Sequence, residues 1–392
     1  MLVKDYTREF VDLKDVIVTK VENISNFKHI HIELERTPQK CPACGNWTSR
    51  VHDYRNQVVK DIDILGLHTL LHLRKRRYVC TSCGKKFQEH NTFLPKYQRT
   101  TTRLWNYVLA LCSDVKSMKQ IGKETNLSGT SIARIFDNVS YSLPTLPDII
   151  GIDEFKGNSG GEKFNCILTN PDKRNVLDIL PKRTSEALYE YFSQFENRDK
   201  VKIVTMDMST LFRSVVRNSF PNAKIVADKY HVVRQVTWAF ENVRKRIQKQ
   251  FEKENRVEMK RTRKVLLKRQ RDLTEEEAIK VSYLLLTSKD LGAAYYLKER
   301  FYEVMESKDV FEAEKKLKEW FMHANVCDLK EFNKCINTFH EWREEILNAF
   351  RYNLSNGYTE GCNNKIKVIK RTAFGLRNFK RFRNRILYIT SN

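Results

Sequence analysis

The sequence predicts a multidomain α/β protein: a mixed-sheet core, interrupted by an all-helical insertion and preceded by two small modules. Three observations predict it. A short apolar run ends in an acid three times, at Asp153, Asp207 and Asp228. Two Cys-x-x-Cys-Gly pairs stand near the start of the chain. Residues 232–349 carry helical periodicity and few Gly or Pro, with no strand-like runs.

The bounds agree. A chain of 392 residues has room for two or three domains and a full hydrophobic core. Its 71 Lys and Arg exceed 48 Asp and Glu, a formal charge of +23 that points to a polyanionic partner, with nucleic acid the default. A membrane surface fits less well, because no polybasic block flanks an apolar span, and no window approaches a membrane-spanning length. The nine cysteines form two pairs and five scattered residues, which is not a disulfide framework. A reducing cytoplasm is expected, with no membrane association.

Residues 1–95 form the first expected domain. Val16-Ile17-Val18 and the alternating His29-Ile30-His31-Ile32-Glu33-Leu34 read as strands. Cys41-Pro42-Ala43-Cys44-Gly45 and Cys80-Thr81-Ser82-Cys83-Gly84 read as two knuckles, whose four thiolates make a closed tetrahedral set for structural Zn²⁺. The 35 residues between Cys44 and Cys80 exceed the usual ribbon spacing and are expected to hold extra strands. His52, His68, His72 and His90 are possible substitutes, but four Cys already complete the site.

Residues 96–143 change to a helical period. Stripes at Leu104, Val108 and Leu111, at Met118 and Ile121, and at Ile132, Ile135, Phe136 and Val139 predict three short helices. Ser128 is a good N-cap for the third. The pattern is that of a helix-turn-helix presenting Thr130, Ser131 and Arg134 to DNA, with a plain three-helix packing module as the alternative. Pro144 and Pro147 mark a linker.

Residues 144–231 hold the first part of the core. Ile149-Ile150-Gly151-Ile152-Asp153 reads as a buried central strand whose acid lies where the strand leaves the core. Residues 163–169 and 175–180 predict two more strands, and Thr184 starts a helix. A strand at 201–207, a helix at 209–219 and a strand at 224–228 follow. Three strands, helix, strand, helix, strand is the ribonuclease-H-like order, which places Asp153 beside Asp207. Residues 232–349 are the helical insertion, and residues 244–271 within it hold 13 Lys or Arg against 3 Glu. Residues 350–392 complete the core: Glu360 opens a helix that carries Asn364, Lys367 and Arg371 on one face. Residues 361–392 hold nine Lys or Arg and no acid. Lys365, Lys367, Lys370 and Arg371 are the cations expected at DNA phosphates. Asp228 and His231 are open between an accessory role at the acids and strand-end capping.

With Asp153, Asp207 and Glu360 in view, the sequence resembles the ISL-three-type DDE transposases of bacterial insertion sequences. The matching words are the double knuckle, GIDEF, MDMS, ADKYH and NGYTEGCNNKIKVIKRTAFGLRNF. The resemblance runs from about residue 40 to the end of the chain. It implies that Asp153, Asp207 and Glu360 are the three catalytic acids, holding Mg²⁺ or Mn²⁺ for strand cleavage and strand transfer. It also implies double-stranded DNA partners (element ends and target), assembly as a homo-oligomer on DNA, and association with the bacterial nucleoid. A DNA-binding regulator with an inactive core, and a nuclease or resolvase without strand transfer, are the competing functions.

Overall fold

The computed structural model describes residues 11–373 and 376–391. Residues 1–10 of the expected N-terminal domain, Asn392, and Phe374 and Gly375 of the C-terminal motif lie outside the described residues.

The chain opens with β1 (Val16–Ile24) and β2 (Phe27–Leu34), followed by the short β3 (Gln39–Lys40) and β4 (Trp47–Thr48). The spacing between the cysteine pairs is taken up by a long hairpin, β5 (Val51–Ile64) and β6 (Leu67–Val79). The sheet order is β1-β2-β6-β5, with β2 and β6 parallel, and β7 (Lys86–Gln88) pairs with β6. One face buries Ile30, Ile32, Val59, Leu71 and Leu73. The alternation of these residues along their strands fixes which face packs.

Three helices follow: α1 (Thr102–Leu111), α2 (Met118–Glu124) and α3 (Gly129–Phe136). Thr101, Ser117 and Ser128 cap them, each accepting a backbone N–H. The turn between α2 and α3 is so close that a Cβ on Gly122 would meet the Leu127 carbonyl oxygen at 2.4 Å. Leu104, Val108, Ile121, Ile132 and Phe136 make the shared core, with Ile62 of β5 and Tyr388 packed against it. This module is wedged between the N-terminal sheet and the last helix of the chain.

The second sheet contains β8 (Ile149–Phe155), β9 (Asn165–Asn170), β10 (Asn175–Leu180), β11 (Ile203–Met206) and β12 (Lys224–Ala227) in the order β10-β9-β8-β11-β12. β9 runs antiparallel to β8 and β10, whereas β8, β11 and β12 are parallel. Successive side chains of β8 point to opposite faces. Ile150 and Ile152 enter a core with Leu188 and Phe192 of α4 (Ser185–Ser193) and Phe212 and Val216 of α5 (Thr210–Ser219). Phe155 enters the opposite core, against Ile366 and Ile369 of α14 (Gly357–Thr372) and Phe382 and Ile386 of α15 (Phe379–Ser391). Gly151 and Asp153 share that second face.

Between β12 and α14 the chain is helical: α6 (Lys229–Gln248), α7 (Lys253–Arg261), α8 (Arg263–Leu267), α9 (Glu275–Leu286), α10 (Lys289–Met305), α11 (Val310–Cys327), α12 (Lys330–Glu341) and α13 (Arg343–Arg351). Phe301, Trp320, Phe332, Phe339 and Trp342 are buried there, and the Trp320 indole N–H donates to the Leu297 carbonyl at 2.9 Å. This core is continuous with that of the second sheet. Asn348 of α13 donates its amide to the Ile225 carbonyl of β12, and α6 starts at Lys229, before the position expected for the insertion.

The basic stretch 244–271 is only in part an open cationic face, with Lys245, Lys249, Arg256, Lys260, Arg261 and Lys264 exposed. Arg244 and Arg263 share the buried Glu241. Arg246 bridges Asp290 and Glu331, Lys268 meets Glu277, and Arg269 and Arg271 meet Glu306. Six of the 13 cations are neutralised by acids that lie elsewhere in the insertion, which a local count of charge does not register.

Candidate functional site

The four cysteine sulfurs converge. The Sγ atoms of Cys41, Cys44, Cys80 and Cys83 all lie within 4.8 Å of one another, with Cys41–Cys83 at 3.6 Å and Cys44–Cys80 at 3.5 Å. Sulfurs about 2.3 Å from a common tetrahedral centre stand roughly 3.8 Å apart, so the set has the dimensions of a zinc site. The knuckles prepare the charge at the first sulfur of each pair, while the neighbouring sulfurs push the Cys44 thiol up. The backbone amides of Cys44 and Ala43 pull the Cys41 thiol down, and those of Cys83 and Ser82 pull Cys80 down to about 6.

The acids come from the parallel half of the second sheet. Asp153 stands near the end of β8, Asp207 just after β11, and Asp228 just after β12 at the N-cap of α6. Asp153 is buried; its Oδ1 accepts the Glu154 amide at 2.7 Å and its Oδ2 accepts Asn363 Nδ2 at 2.8 Å. Burial pushes the Asp153 carboxyl up to about 7; nearby Asp207 and Asp228 add to the rise, and the Glu154 amide and His231 oppose it. Asp207 is raised too, first by burial and further by Glu154 and Asp228, and its Oδ1 is buried without a hydrogen-bond partner. His231 donates Nδ1–H to Asp228 Oδ2 at 2.8 Å; this bond raises the imidazole above its ordinary range, with Asp207 and Asp153 contributing. Asp153, Asp207 and His231 are thus each shifted in part by neighbours within this group.

Glu360 comes from a helix and not from a strand end. It is the fourth residue of α14, whose N-cap is Asn356, and its side chain is exposed. Among the described residues, the cysteine quartet is the one group of three or more His, Cys, Asp or Glu whose ligand atoms lie within 4.8 Å of one another. The acids are not drawn that close in this structure. Carboxyls raised by burial and by neighbouring acids, with an unpartnered carboxylate oxygen, are nonetheless what an oxygen-seeking divalent cation would relieve, so Asp153 and Asp207 fit such a group.

The sheet-facing side of α14 is polar, and sequence reasoning missed it. Asn356 Oδ1 accepts from Thr205 at 3.1 Å, the Thr359 and Thr169 hydroxyls meet at 2.8 Å, and Asn363 reaches Asp153. Their 356, 359, 363 spacing is a helix-face signal, hidden because such a stripe is normally sought in apolar residues.

The expected DNA contacts divide. Thr130 and Arg134 are exposed on α3, whereas Ser131 is partly covered and pairs with the Ser128 hydroxyl at 2.8 Å. Lys367 and Arg371 are exposed on α14. Lys365 donates to the Ile389 carbonyl at 3.0 Å, and Lys370 to the Lys156 carbonyl.

A zinc knuckle pair, an acid-bearing mixed sheet and basic helices together define a DNA-processing protein, and comparison with known proteins says which. Residues 37–83 match the zinc-finger of the transposases of IS204, IS1001, IS1096 and IS1165, supporting structural Zn²⁺ at the quartet. Residues 150–386, more than half of the chain, match the ISL3 family described as transposase. The chain belongs to the ISL3 transposase family and is a DNA transposase. The transposase of insertion sequence element IS1001 of Bordetella parapertussis is 26% identical over 363 residues, 87% of this chain and 86% of the relative. That of IS1557 of Mycobacterium tuberculosis is 25% identical over 276 residues, 64% of this chain and 62% of the relative. A Lactococcus lactis protein named ATP-dependent protease is 33% identical over 115 residues, only 29% of this chain, and carries no argument. No described helix is long and apolar enough to cross a membrane.

Proposed function

We propose that the chain binds the ends of its insertion sequence and cleaves and rejoins DNA strands at a site built on Asp153, Asp207 and Glu360. The observation that carries this reading is the pair of acids at the ends of adjacent parallel strands, Asp153 buried and Asp207 half-buried, with each carboxyl raised and the buried Asp207 Oδ1 unpartnered. Bound Mg²⁺ or Mn²⁺ supplies activation of the attacking oxygen and charge neutralisation at the leaving oxygen of an in-line phosphodiester displacement. The residues do the rest: Asp153 and Asp207 present fixed carboxylates from strand ends, and Glu360 supplies the third from the start of a helix rich in cations. Asp228 holds the His231 ring in one orientation beside them, an accessory role that fits this pair better than strand-end capping.

The strand order β10-β9-β8-β11-β12 supports a ribonuclease-H-like core, and the capped α1–α3 module supports a helix-turn-helix with Thr130 and Arg134 outward. Residues 1–95, 96–143, 144–231, 232–349 and 350–392 are the units of this reading. Assembly as a homo-oligomer on DNA belongs to it too.

A second reading exchanges Glu360 for Asp228, favoured by the burial of Asp228 among the other acids. The test is incubation with DNA carrying the element's ends and Mg²⁺, scoring 3′-hydroxyl nicks and joined products. Asp153→Asn and Asp207→Asn are expected to abolish both products with end-DNA affinity little changed. Glu360→Gln should do the same and Asp228→Asn should lower the rate only partly; the reverse pattern selects the second reading. Nicks without joined products would make the protein a nuclease.

A further inference from the structure

Asn363 is a buried residue with no part in the trio. It is about 5% exposed, and its amide donates to Asp153 Oδ2 at 2.8 Å and more weakly to the Glu154 carbonyl at 3.5 Å. Its own Oδ1 is buried without a hydrogen-bond partner. The NH₂ of the carboxamide faces Asp153, as the cation-holding, ionised form of that acid requires, because a carboxylate only accepts, and the carbonyl oxygen faces away. Asn363 sits three residues after Glu360, so the two lie about one turn apart on neighbouring parts of the α14 surface. One helix thus carries both Glu360 and the side chain that holds Asp153.

We propose that Asn363 is a positioning residue, which sets the Asp153 carboxylate for a divalent cation and ties the first acid to the helix bearing the third. The proposal rests on the reading of Asp153 as a cation-holding acid. The rest of the seam sharpens it. Thr359 packs on Thr169 and Asn356 on Thr205, and neither contact touches an acid. Gly151 leaves room for both, since a Cβ there would lie 2.5 Å from the Thr359 hydroxyl and 3.2 Å from Asn356 Oδ1. The seam therefore separates into two contacts that dock the helix and one that reaches the chemistry. A carboxylate freed from its donor samples several rotamers and offers a cation a less prepared ligand, so affinity falls before folding does.

The experiment uses the full chain and two readouts, Mn²⁺ affinity by electron paramagnetic resonance without DNA, and cleavage of end DNA. Asn363→Ala is expected to weaken Mn²⁺ binding by about tenfold or more, within the range for groups that hydrogen-bond to metal ligands. Cleavage at low Mn²⁺ should fall in proportion and recover in part at high Mn²⁺, with end-DNA affinity unchanged. Thr359→Val, the control in the same seam, should lower the thermal midpoint and leave Mn²⁺ affinity as it was. Asn363→Ser keeps a shorter donor and guards against misfolding of the alanine variant; it should weaken Mn²⁺ binding less than alanine does. Wild-type Mn²⁺ affinity in a folded Asn363→Ala or Asn363→Ser variant overturns the proposal. So does Thr359→Val weakening Mn²⁺ as much as Asn363→Ala, which would make the seam a packing device alone. Asp153→Asn distinguishes the two levels: if it retains full Mn²⁺ binding and cleavage, the assignment of the acid has failed, not the link to Asn363.

Discussion

Gly151 shows how little space the site leaves. It lies two residues before Asp153 on the same face of β8, and a Cβ there would meet the Thr169 and Thr359 hydroxyls at 2.3 and 2.5 Å. Neither hydroxyl is free to retreat, because each is the other's hydrogen-bond partner. Gly151→Ala should therefore push α14 from the sheet, costing about 1–3 kcal/mol of stability, the usual range for overpacking. The check is a denaturation midpoint; one unchanged from wild type would show that the seam yields easily. At this scale the sequence was legible where physics leaves a pattern. Asp153, Asp207 and Asp228 each end an apolar run, and the structure carries all three into one electrostatic neighbourhood. Asn363 left no such mark, because a buried amide is recognised by its partner and the partner is 210 positions away.

Arg385 carries the same lesson among the helices. Counted as one of nine cations near the end of the chain, it reads as a phosphate contact; in the fold it is about 2% exposed. Its guanidinium donates to the carbonyls of Cys112, Asp114 and Lys116, taking up acceptors at and just after the end of α1 that no helix satisfies. Arg381 and Arg383 of the same helix are likewise spoken for, by Asp137 and Asp178. Arg385→Met keeps the aliphatic stem and strands three carbonyls, an expected loss of about 3 kcal/mol. Amide exchange should locate that loss at residues 102–136, and uniform protection there would contradict it. The zinc quartet is the opposite case, legible in full because four thiolates close a site by themselves. Cys80→Ser is expected to lose the metal and the fold around residues 40–95 while the acid-bearing sheet survives. Metal analysis of the wild type finding less than one tightly held zinc per chain would refute the site. The long hairpin between the knuckles was legible as strands, though its length and its parallel neighbour β2 were not, since pairing partners depend on distant segments.

Across the whole molecule the excess of positive charge is sorted by folding. Two stretches stood out by local count: 244–271, and the chain from Lys365 onward. The first has six of its 13 cations held in ion pairs, and the second splits between buried anchors such as Arg385 and open cations such as Lys367 and Arg371. The distinction matters because salt sensitivity reports phosphates neutralised and counterions released, not formal charge. A cation already held by a carboxylate has a local partner and displaces few counterions when DNA arrives. Neutralising Lys367 and Arg371 together by Gln should flatten the slope of log affinity against log salt by about 2, close to 0.9 for each phosphate left without its cation. The effect should be equal on element ends and on random duplex, because phosphates carry no base sequence. Neutralising Arg269 and Arg271, which share Glu306, removes as many charges and should leave the slope nearly as it was. Arg134→Ala on α3 should instead weaken end DNA more than random duplex, if that helix reads bases. All of these belong in the full chain, because α1–α3 lean on the C-terminal helix through Tyr388 and Arg385 and an isolated N-terminal fragment would expose that surface. Equal slope changes in the two double variants would mean that the ion pairs of the insertion open on DNA, and that the insertion is itself a phosphate-binding surface.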